Sequence, residues 1–350
     1  LKIRDLKVAT VDAPGLGRIG IVRVDTDEGI YGYGEAHCPR EHVLQLKPYI
    51  VGCDPTEVEK VMLRIRYRGG FKPWGSSVSA VEMALWDLAA KLESRPLWRY
   101  IGGVNRNILS GVSVGVQPSM AELIRVVRGY LEQGYRRVKI KIRPGYDVEP
   151  VRALREGFGP DLPLQVDANA AYQLSDAEVF RALDRYSLLM IEQPLGWRDL
   201  VDHATLAKMI RTPVCLDESI TDVDDARKAY QLDAAFVINV KPARVGGLGE
   251  TLRIHDFWYG VAKRPIWIGG MLETGVGRGH LVAAATLPGV RYPNDISASS
   301  RYYESDIVEP PWELNKDGTI TAPERPGIGV EVLVDRVKKA VKRSLERSLS

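Results

Sequence analysis

The chain has 350 residues, with 48 Lys and Arg against 45 Asp and Glu, a formal net charge of +3. That length allows one large barrel plus a second small domain, since single cores stop growing at roughly 250–300 residues. Apolar residues at 45% and charged residues at 27% exclude a disordered, collagen-like or disulfide-scaffold class, and basic residues spread along the chain do not indicate nucleic acid.

Three cysteines, Cys38, Cys53 and Cys215, form no C-x-x-C pair and are odd in number, so the default expectation is a reducing, cytoplasmic setting. The opening LKIRDLKVAT alternates charged and apolar residues like a strand and lacks the apolar centre of a signal peptide. No run approaches the roughly 20 apolar residues of a membrane span, so no membrane partner is expected.

Residues 1–35 predict strand, turn and strand, with GIVRVDTDEGIYGYGEA broken by a turn at Asp27–Gly29. From Glu41 to Lys91 the pattern is helical, with Val78, Val81, Leu85, Leu88 and Leu92 on one stripe. After Gly102–Gly103 short β-branched runs alternate with amphipathic helices: Val112–Val116, Arg137–Ile142, Leu164–Asp167, Leu188–Glu192, Val214–Asp217, Ala235–Val240, Pro265–Ile268 and a weak run at Val290–Tyr292. Beyond Tyr302, Trp312–Leu314, Thr319–Thr321 and Gly329–Leu333 predict strands. A last helix follows, whose basic stretch Arg336–Arg347 predicts a solvated face. The expectation is an α/β protein, a (β/α)8-type barrel with an α+β capping domain. The capping domain would take residues 1–105 and the barrel 106–305, with 306–350 returning to the cap.

An open doubly wound sheet shares this alternation, so the choice rests on where charges fall. One charged residue ends each of five consecutive runs: Lys141 in VKIKI, Asp167 in LQVDAN, Glu192 in LMIEQP, Asp217 in VCLDES and Lys241 in INVKP. The intervals are 167−141=26, 192−167=25, 217−192=25 and 241−217=24, about one βα unit each, and a barrel places such positions in one ring at its catalytic face. Three carboxylates there repel one another unless a cation sits among them. An all-oxygen set without His or Cys favours a hard ion, Mg²⁺ first and Mn²⁺ second.

An enolising enzyme needs such a site, because a metal stabilises charge growing on a substrate carboxylate while a neutral amine takes the neighbouring proton. Free lysine titrates at about 10.4, and a nearby cation lowers that value, a role open to the metal and to Lys139, two residues before Lys141 on the same strand face. The alternative is that each carboxylate merely caps the next helix. Five charges at one period weigh against it.

At these residues the chain resembles the enolase superfamily, whose members join a barrel to a small α+β cap and hold Mg²⁺ on three strand-end carboxylates. Lysine on both faces is similar to the muconate-lactonising subgroup. The mandelate racemase subgroup uses a histidine on the second side, and none of His37, His42, His203, His255 and His280 stands at such a place. The segments VKIKIRPGYDVEPVRALREGFG, LQVDANAAY, IEQPL, TPVCLDESI, INVKPARVGG, GGMLETGVGR and NDISAS resemble the o-succinylbenzoate synthase and N-succinylamino acid racemase group. That resemblance implies Asp167, Glu192 and Asp217 as metal ligands, Lys141 as acid and base of one face, and Lys241 as its counterpart. It implies a synthase of menaquinone biosynthesis in which Lys141 removes a proton and returns it to the departing hydroxyl, while Lys241 steadies the enediolate. In a racemase the two lysines would exchange faces. It also implies a small carboxylate substrate and association into homo-oligomers.

The first hundred residues, in VRVDTDEGIYGYGEA and FKPWGSSVSAVEMALWDLAAKL, are more similar to the caps of mandelate-racemase-type members. A short APGLGRI link stands where the family carries a longer substrate-covering loop. GLGRIG at Gly15–Gly20 fits a dinucleotide pattern but precedes a strand, which fails its context. RVGGLG at Arg244–Gly249 opens a helix whose N–H groups suit a carboxylate, although helix packing explains the glycines equally. Glu273, after Gly270 and Met271 in GGMLETG, and Asp295 in NDISAS are candidates for substrate contact, for orienting Lys241, or equally for structural capping. Asn169 and Ser219 stand beside the ligand positions, and Trp74 and Trp197 are expected to pack. Competing functions are an N-acyl amino acid racemase, a dipeptide epimerase or a cycloisomerase, and, from another class, an engineered or hybrid scaffold that binds metal without turnover.

Overall fold

The computed structural model describes residues 1–13, 17–72 and 75–349. Gly15, part of the link at 13–19 and Trp74 therefore lie outside the described residues. Three antiparallel strands open the chain, β1 (Ile3–Ala13), β2 (Gly17–Thr26) and β3 (Tyr31–Ala36), in that order. Gly17 begins a strand, so the dinucleotide reading fails in the structure as well. The expected turn joins β2 to β3, with Thr26 N donating to Ile30 O (3.0 Å). The helix Ser76–Leu92 lies across this sheet with Val78, Val81, Leu85 and Leu88 buried. Gly32 and Gly34 permit the approach, because a Cβ on either would collide with the helix at Ala80, Ala84 or Leu88.

Strand β4 (Asn107–Leu109) leads into the barrel. Seven strands follow: β5 (Val112–Val114), β6 (Val138–Lys141), β7 (Leu164–Asp167), β8 (Ile191–Glu192), β9 (Val214–Leu216), β10 (Val237–Val240) and β11 (Ile266–Ile268). They pair in parallel in sequence order. Helices cover them outside, so strands such as β10 are buried along their whole length.

The eighth run does not form a continuous strand. Val290 bridges Ile266 on one side and Asn294 bridges Ser110 on the other, and between them Pro293 has no N–H to give a ladder. The fully buried Arg137 spans this seam, donating from Nη2 to Pro293 O (2.7 Å), from Nη1 to Asp295 Oδ1 (2.7 Å) and to Val112 O (3.3 Å). A side chain thus ties β5 and β6 to the irregular eighth segment.

In the last part β12 (Val308–Glu309) pairs with β14 (Glu331–Val332), and β13 (Thr319–Thr321) pairs with β4. Trp312–Leu314 is not a strand: Trp312 N donates to Ser299 Oγ (3.0 Å) and its indole to Gly275 O (2.9 Å), so its groups are taken by tertiary partners. The helix Val334–Leu349 lies against β1 with Val337 and Val341 half-buried and Lys338, Lys339, Lys342 and Arg343 exposed, as its pattern predicts. Among the described residues no helix is long and apolar enough to cross a membrane.

Candidate active site

The five strand-end charges fall together at one end of the barrel. In strand order they are Lys141, Asp167, Glu192, Asp217 and Lys241, on β6 to β10, so the lysines flank the carboxylates. Lys141 Nζ donates to Asp167 Oδ2 (2.6 Å) and to Asn169 Oδ1 (2.6 Å), and Lys241 Nζ to Asp217 Oδ2 (2.7 Å). All three carboxylates are buried, whereas the Lys141 side chain is 34% exposed and can meet a substrate.

These carboxylates are not helix caps. The helices that follow them are capped by other residues: after β7 Gln173 and Asp176 form a capping box, with Gln173 N donating to Asp176 Oδ2 (2.9 Å), after β8 Asp199 accepts from Asp202 N, and after β9 Asp222 accepts from Asp225 N. The strand-end acids are thereby left to face the barrel axis.

A second layer lies one inward position lower on each strand, since side chains two residues apart share a face. Lys139 there differs from its expected role. Its ammonium contacts Asp295 Oδ2 (2.7 Å), Glu192 Oε2 (2.9 Å) and Asp167 Oδ2 (3.3 Å) and lies over the Trp267 ring. Burial opposes its charge, but the three carboxylates outweigh burial and hold it well above the ordinary lysine value. It is the counter-charge of the acids. Gln165 Nε2 (2.7 Å to Oε2) and Asn239 Nδ2 (2.8 Å to Oε1) donate to Glu192 and fix its plane. Spacing could have found both, as each stands two residues before a strand-end charge.

Arg244 is a further residue that the sequence left among the glycines of RVGGLG. It pairs with Asp217 Oδ1 and donates from Nη2 to Asn239 O (2.7 Å). Burial works to raise Asp217, yet Arg244 and Lys241 hold its carboxyl well below the usual range. Burial and then the Asp167 carboxylate push Glu192 above its ordinary value. The N–H groups of Leu248 and Gly249 do meet a carboxylate, as that motif predicted, but it is the chain's own Glu82 (2.8 and 2.7 Å).

Gly269 follows β11, and a Cβ there would collide with the Asn239 amide and Lys241 Cε, so this position keeps room for the lysine. Gly270 packs on the Asp295 carbonyl. Both Glu273 oxygens accept from Met271 N (2.8 Å each), and Met271 O meets His37 Nε2 of the cap (2.7 Å). Asp295 is held by Arg137 and Lys139, which outweigh burial and keep it well below the carboxylate range. Glu273 and Asp295 are thus structural anchors rather than partners of Lys241. Ser219 Oγ accepts from Gln193 Nε2 (2.7 Å), which holds the loop after β9. Trp197 does not pack as expected; it is 51% exposed, with the Arg198 guanidinium over its ring.

In this arrangement ammonium groups balance the acids, and among the described residues no three acidic, imidazole or thiol side chains close on one point. The donor chemistry nevertheless suits a hard divalent ion: three carboxylates on adjacent strand ends, with no imidazole among them. In a fourth carboxylate, that of Glu218 beside Asp217, Oε2 is buried without a partner, a local excess of acceptors that a cation with its waters would relieve.

The chain matches the mandelate racemase / muconate lactonizing enzyme N-terminal domain over residues 6–102 and the enolase C-terminal domain-like family over 122–336. It is 49% identical over 280 residues to an o-succinylbenzoate synthase of Geobacillus stearothermophilus, covering 79% of this chain and 72% of that one. It is 50% identical over 261 residues to an N-succinylamino acid racemase of Thermus thermophilus, covering 75% and 70%. A crystal structure of an enolase superfamily member from Listeria innocua superposes with a TM-score of 0.85 at 36% identity, covering 97% and 96% of the two chains. A racemase from Streptomyces coelicolor A3(2) with bound magnesium shares the fold, with a TM-score of 0.84 at 24% identity over 97% and 99%. The cap and the barrel together therefore make this chain a member of the mandelate racemase / muconate lactonizing enzyme family of the enolase superfamily, in the group of o-succinylbenzoate synthases and N-succinylamino acid racemases.

Proposed function

We propose that this chain removes the proton α to a substrate carboxylate, acting as an o-succinylbenzoate synthase with N-succinylamino acid racemisation as a second activity. One observation carries the reading: two lysines flank three buried strand-end carboxylates, Lys141 at 2.6 Å from Asp167 and Lys241 at 2.7 Å from Asp217. Relatives bearing both names at 49% and 50% identity support it.

Asp167, Glu192 and Asp217 would hold Mg²⁺, or Mn²⁺ in its place. When bound, the ion supplies positive charge to the carboxylate that gains electron density as the proton leaves. Lys141 takes that proton from one face and, in the dehydration, returns it to the departing hydroxyl. Lys241 remains charged on the other face and steadies the enediolate. In racemisation one lysine removes the proton and the other delivers one from the opposite side. Lys139 opposes protonation of Glu192 and Arg244 that of Asp217, Gln165 and Asn239 orient Glu192, and Gly269 leaves Lys241 its place.

A dipeptide epimerase would need an acidic pair near the eighth segment to hold a substrate amine. Asp295, the one acid of NDISAS, is already engaged by Arg137 and Lys139, which disfavours that activity. Turnover separates an enzyme from a metal-binding scaffold. We would measure o-succinylbenzoate formation and N-succinylamino acid racemisation in parallel, with Mg²⁺ and after chelation. A metal contribution of several kcal/mol predicts a loss of about a hundredfold or more in both on chelation, and the ratio of rates names the main activity. No turnover of either substrate at saturating Mg²⁺ would contradict the reading.

A further inference from the structure

We propose that Glu218 is a positioning residue that locks the Asn169 amide with its carbonyl oxygen toward Lys141, and so serves proton transfer on one face of the substrate only. The inference rests on the proton-abstraction reading above.

An asparagine amide carries a donor and an acceptor on ends of nearly equal shape, and neighbours decide which way it points. At one end Lys141 Nζ, with no acceptor of its own while charged, takes Asn169 Oδ1 at 2.6 Å. At the other end Asn169 Nδ2 donates to Glu218 Oε1 at 3.0 Å. A carboxylate only accepts, so Glu218 excludes the flipped amide even when Lys141 has given up its proton. The backbone reinforces this choice. Asn169 sits at φ 42° and Ala170 at φ 62°, a left-handed stretch that non-glycine residues adopt only when held. Holding it are Asn169 N on Asp167 Oδ1 (3.0 Å) and Ala170 N on Gln193 O (2.8 Å). Glu218 is fixed in turn, because Gln193 Oε1 accepts from the N–H groups on either side of it, Asp217 (3.0 Å) and Ser219 (3.1 Å). The line Glu218, Asn169, Lys141 thus crosses from the end of β9 to the end of β6. Lys241 on the far side is set by Asp217 and lies off this line.

The test follows exchange of the α-hydrogen into D₂O, by NMR, for each enantiomer of an N-succinylamino acid with Mg²⁺. Lys141→Ala identifies the enantiomer served by Lys141, as the one whose exchange it abolishes. Glu218→Leu keeps the volume and removes the acceptor. It is expected to slow that enantiomer about ten- to a hundredfold, the range for a lost charge-assisted hydrogen bond, and to leave the other within about threefold. Glu218→Gln can accept from Asn169 Nδ2 or donate to a flipped Oδ1, so it keeps the shape but removes the exclusion; it is expected to fall between wild type and Glu218→Leu on the Lys141 face and to leave the other face within about threefold. Equal losses on both faces, or no loss in Glu218→Leu, would each overturn the lock. If Glu218→Leu does not fold, Asn169→Asp sets two carboxylates against each other and should lose the Lys141 face. Adding Glu218→Gln then restores a donor and should recover it, and failure to recover overturns the lock. A wild-type protein that exchanges neither enantiomer and forms no o-succinylbenzoate would overturn the underlying reading instead.

Discussion

Replacing Glu35 by alanine would unfasten the capping sheet from the barrel. Glu35 reaches from β3 to the start of the helix Gly275–Ala285, where Oε1 accepts from Thr274 N (2.8 Å) and Oε2 from Gly277 N (2.7 Å) and Thr274 Oγ1 (2.5 Å). Glu35 and Thr274 are each 1% exposed, so water has no path to the donors unless cap and barrel part. Each buried donor left unmade costs about 1–3 kcal/mol. Two N–H groups, with a hydroxyl that can turn elsewhere, give about 2–6 kcal/mol in all. Glu35→Gln keeps one acceptor but sets an NH₂ against an N–H, for about 1–3 kcal/mol. Urea unfolding followed by circular dichroism, with hydrogen exchange of the β1–β3 amides, measures both. Glu35→Ala within about 0.5 kcal/mol of wild type, the range of an ordinary surface change, would refute the reasoning.

The same carboxylates set a pH dependence. Burial pushes Glu35 up to about 8 and Glu82 up to about 7, against an ordinary value of 4.5. The folded protein therefore binds more protons than the unfolded one between these values. This contribution to stability is complete below pH 4.5 and is lost as pH rises through 7 to 8. Unfolding midpoints from pH 5 to 9 should fall through that window and flatten in the Glu35→Gln, Glu82→Gln double variant; an equal fall in the double variant would contradict it. Arg137→Met removes the tie across the eighth segment, leaves Asp295 with Lys139 alone and the Val112 and Pro293 carbonyls without this donor, and is expected to cost about 3–5 kcal/mol in denaturant titration. Near-neutral stability would mean that the seam closes without it. Gly269→Ala overpacks by about 1–3 kcal/mol and displaces Lys241, for which a shift of about 1 Å predicts a loss of about a hundredfold in kcat. Wild-type turnover in a merely less stable protein would show that Lys241 has slack.

The strand-end charges were legible because a parallel barrel repeats at a nearly fixed interval, so position in the chain converts directly into position on the ring. Lys139, Gln165 and Asn239 follow from the two-residue period of a strand, but what Lys139 does depends on Asp295, brought to it across the barrel. Arg137, Glu35 and Glu82 carry no local signal at all. The partners that define their roles, Pro293 and Asp295 for Arg137, Thr274 and Gly277 for Glu35, and Leu248 and Gly249 for Glu82, lie more than a hundred residues away in the chain. The eighth strand was weak in the sequence for a physical reason, since a stretch with Pro293 cannot sustain a ladder and is held by two bridges and a side chain. Trp312–Leu314 misled because alternation marks burial, and here the burial comes from an indole docked on a helix start rather than from a sheet. Glu218 beside Asp217 carries no signal in the sequence, since its meaning lies in the amide it faces.

The central claim is that Lys141 and Lys241 act on a carboxylate substrate from opposite sides of one ion site. It is tested most directly by the rate of o-succinylbenzoate formation at saturating Mg²⁺ in the wild type, Lys141→Ala and Lys241→Ala, each shown to be folded. Turnover is expected in the wild type, with losses of about a thousandfold or more in each variant, the scale of a missing acid–base or charge-stabilising group. A variant that keeps its rate without either lysine would contradict it.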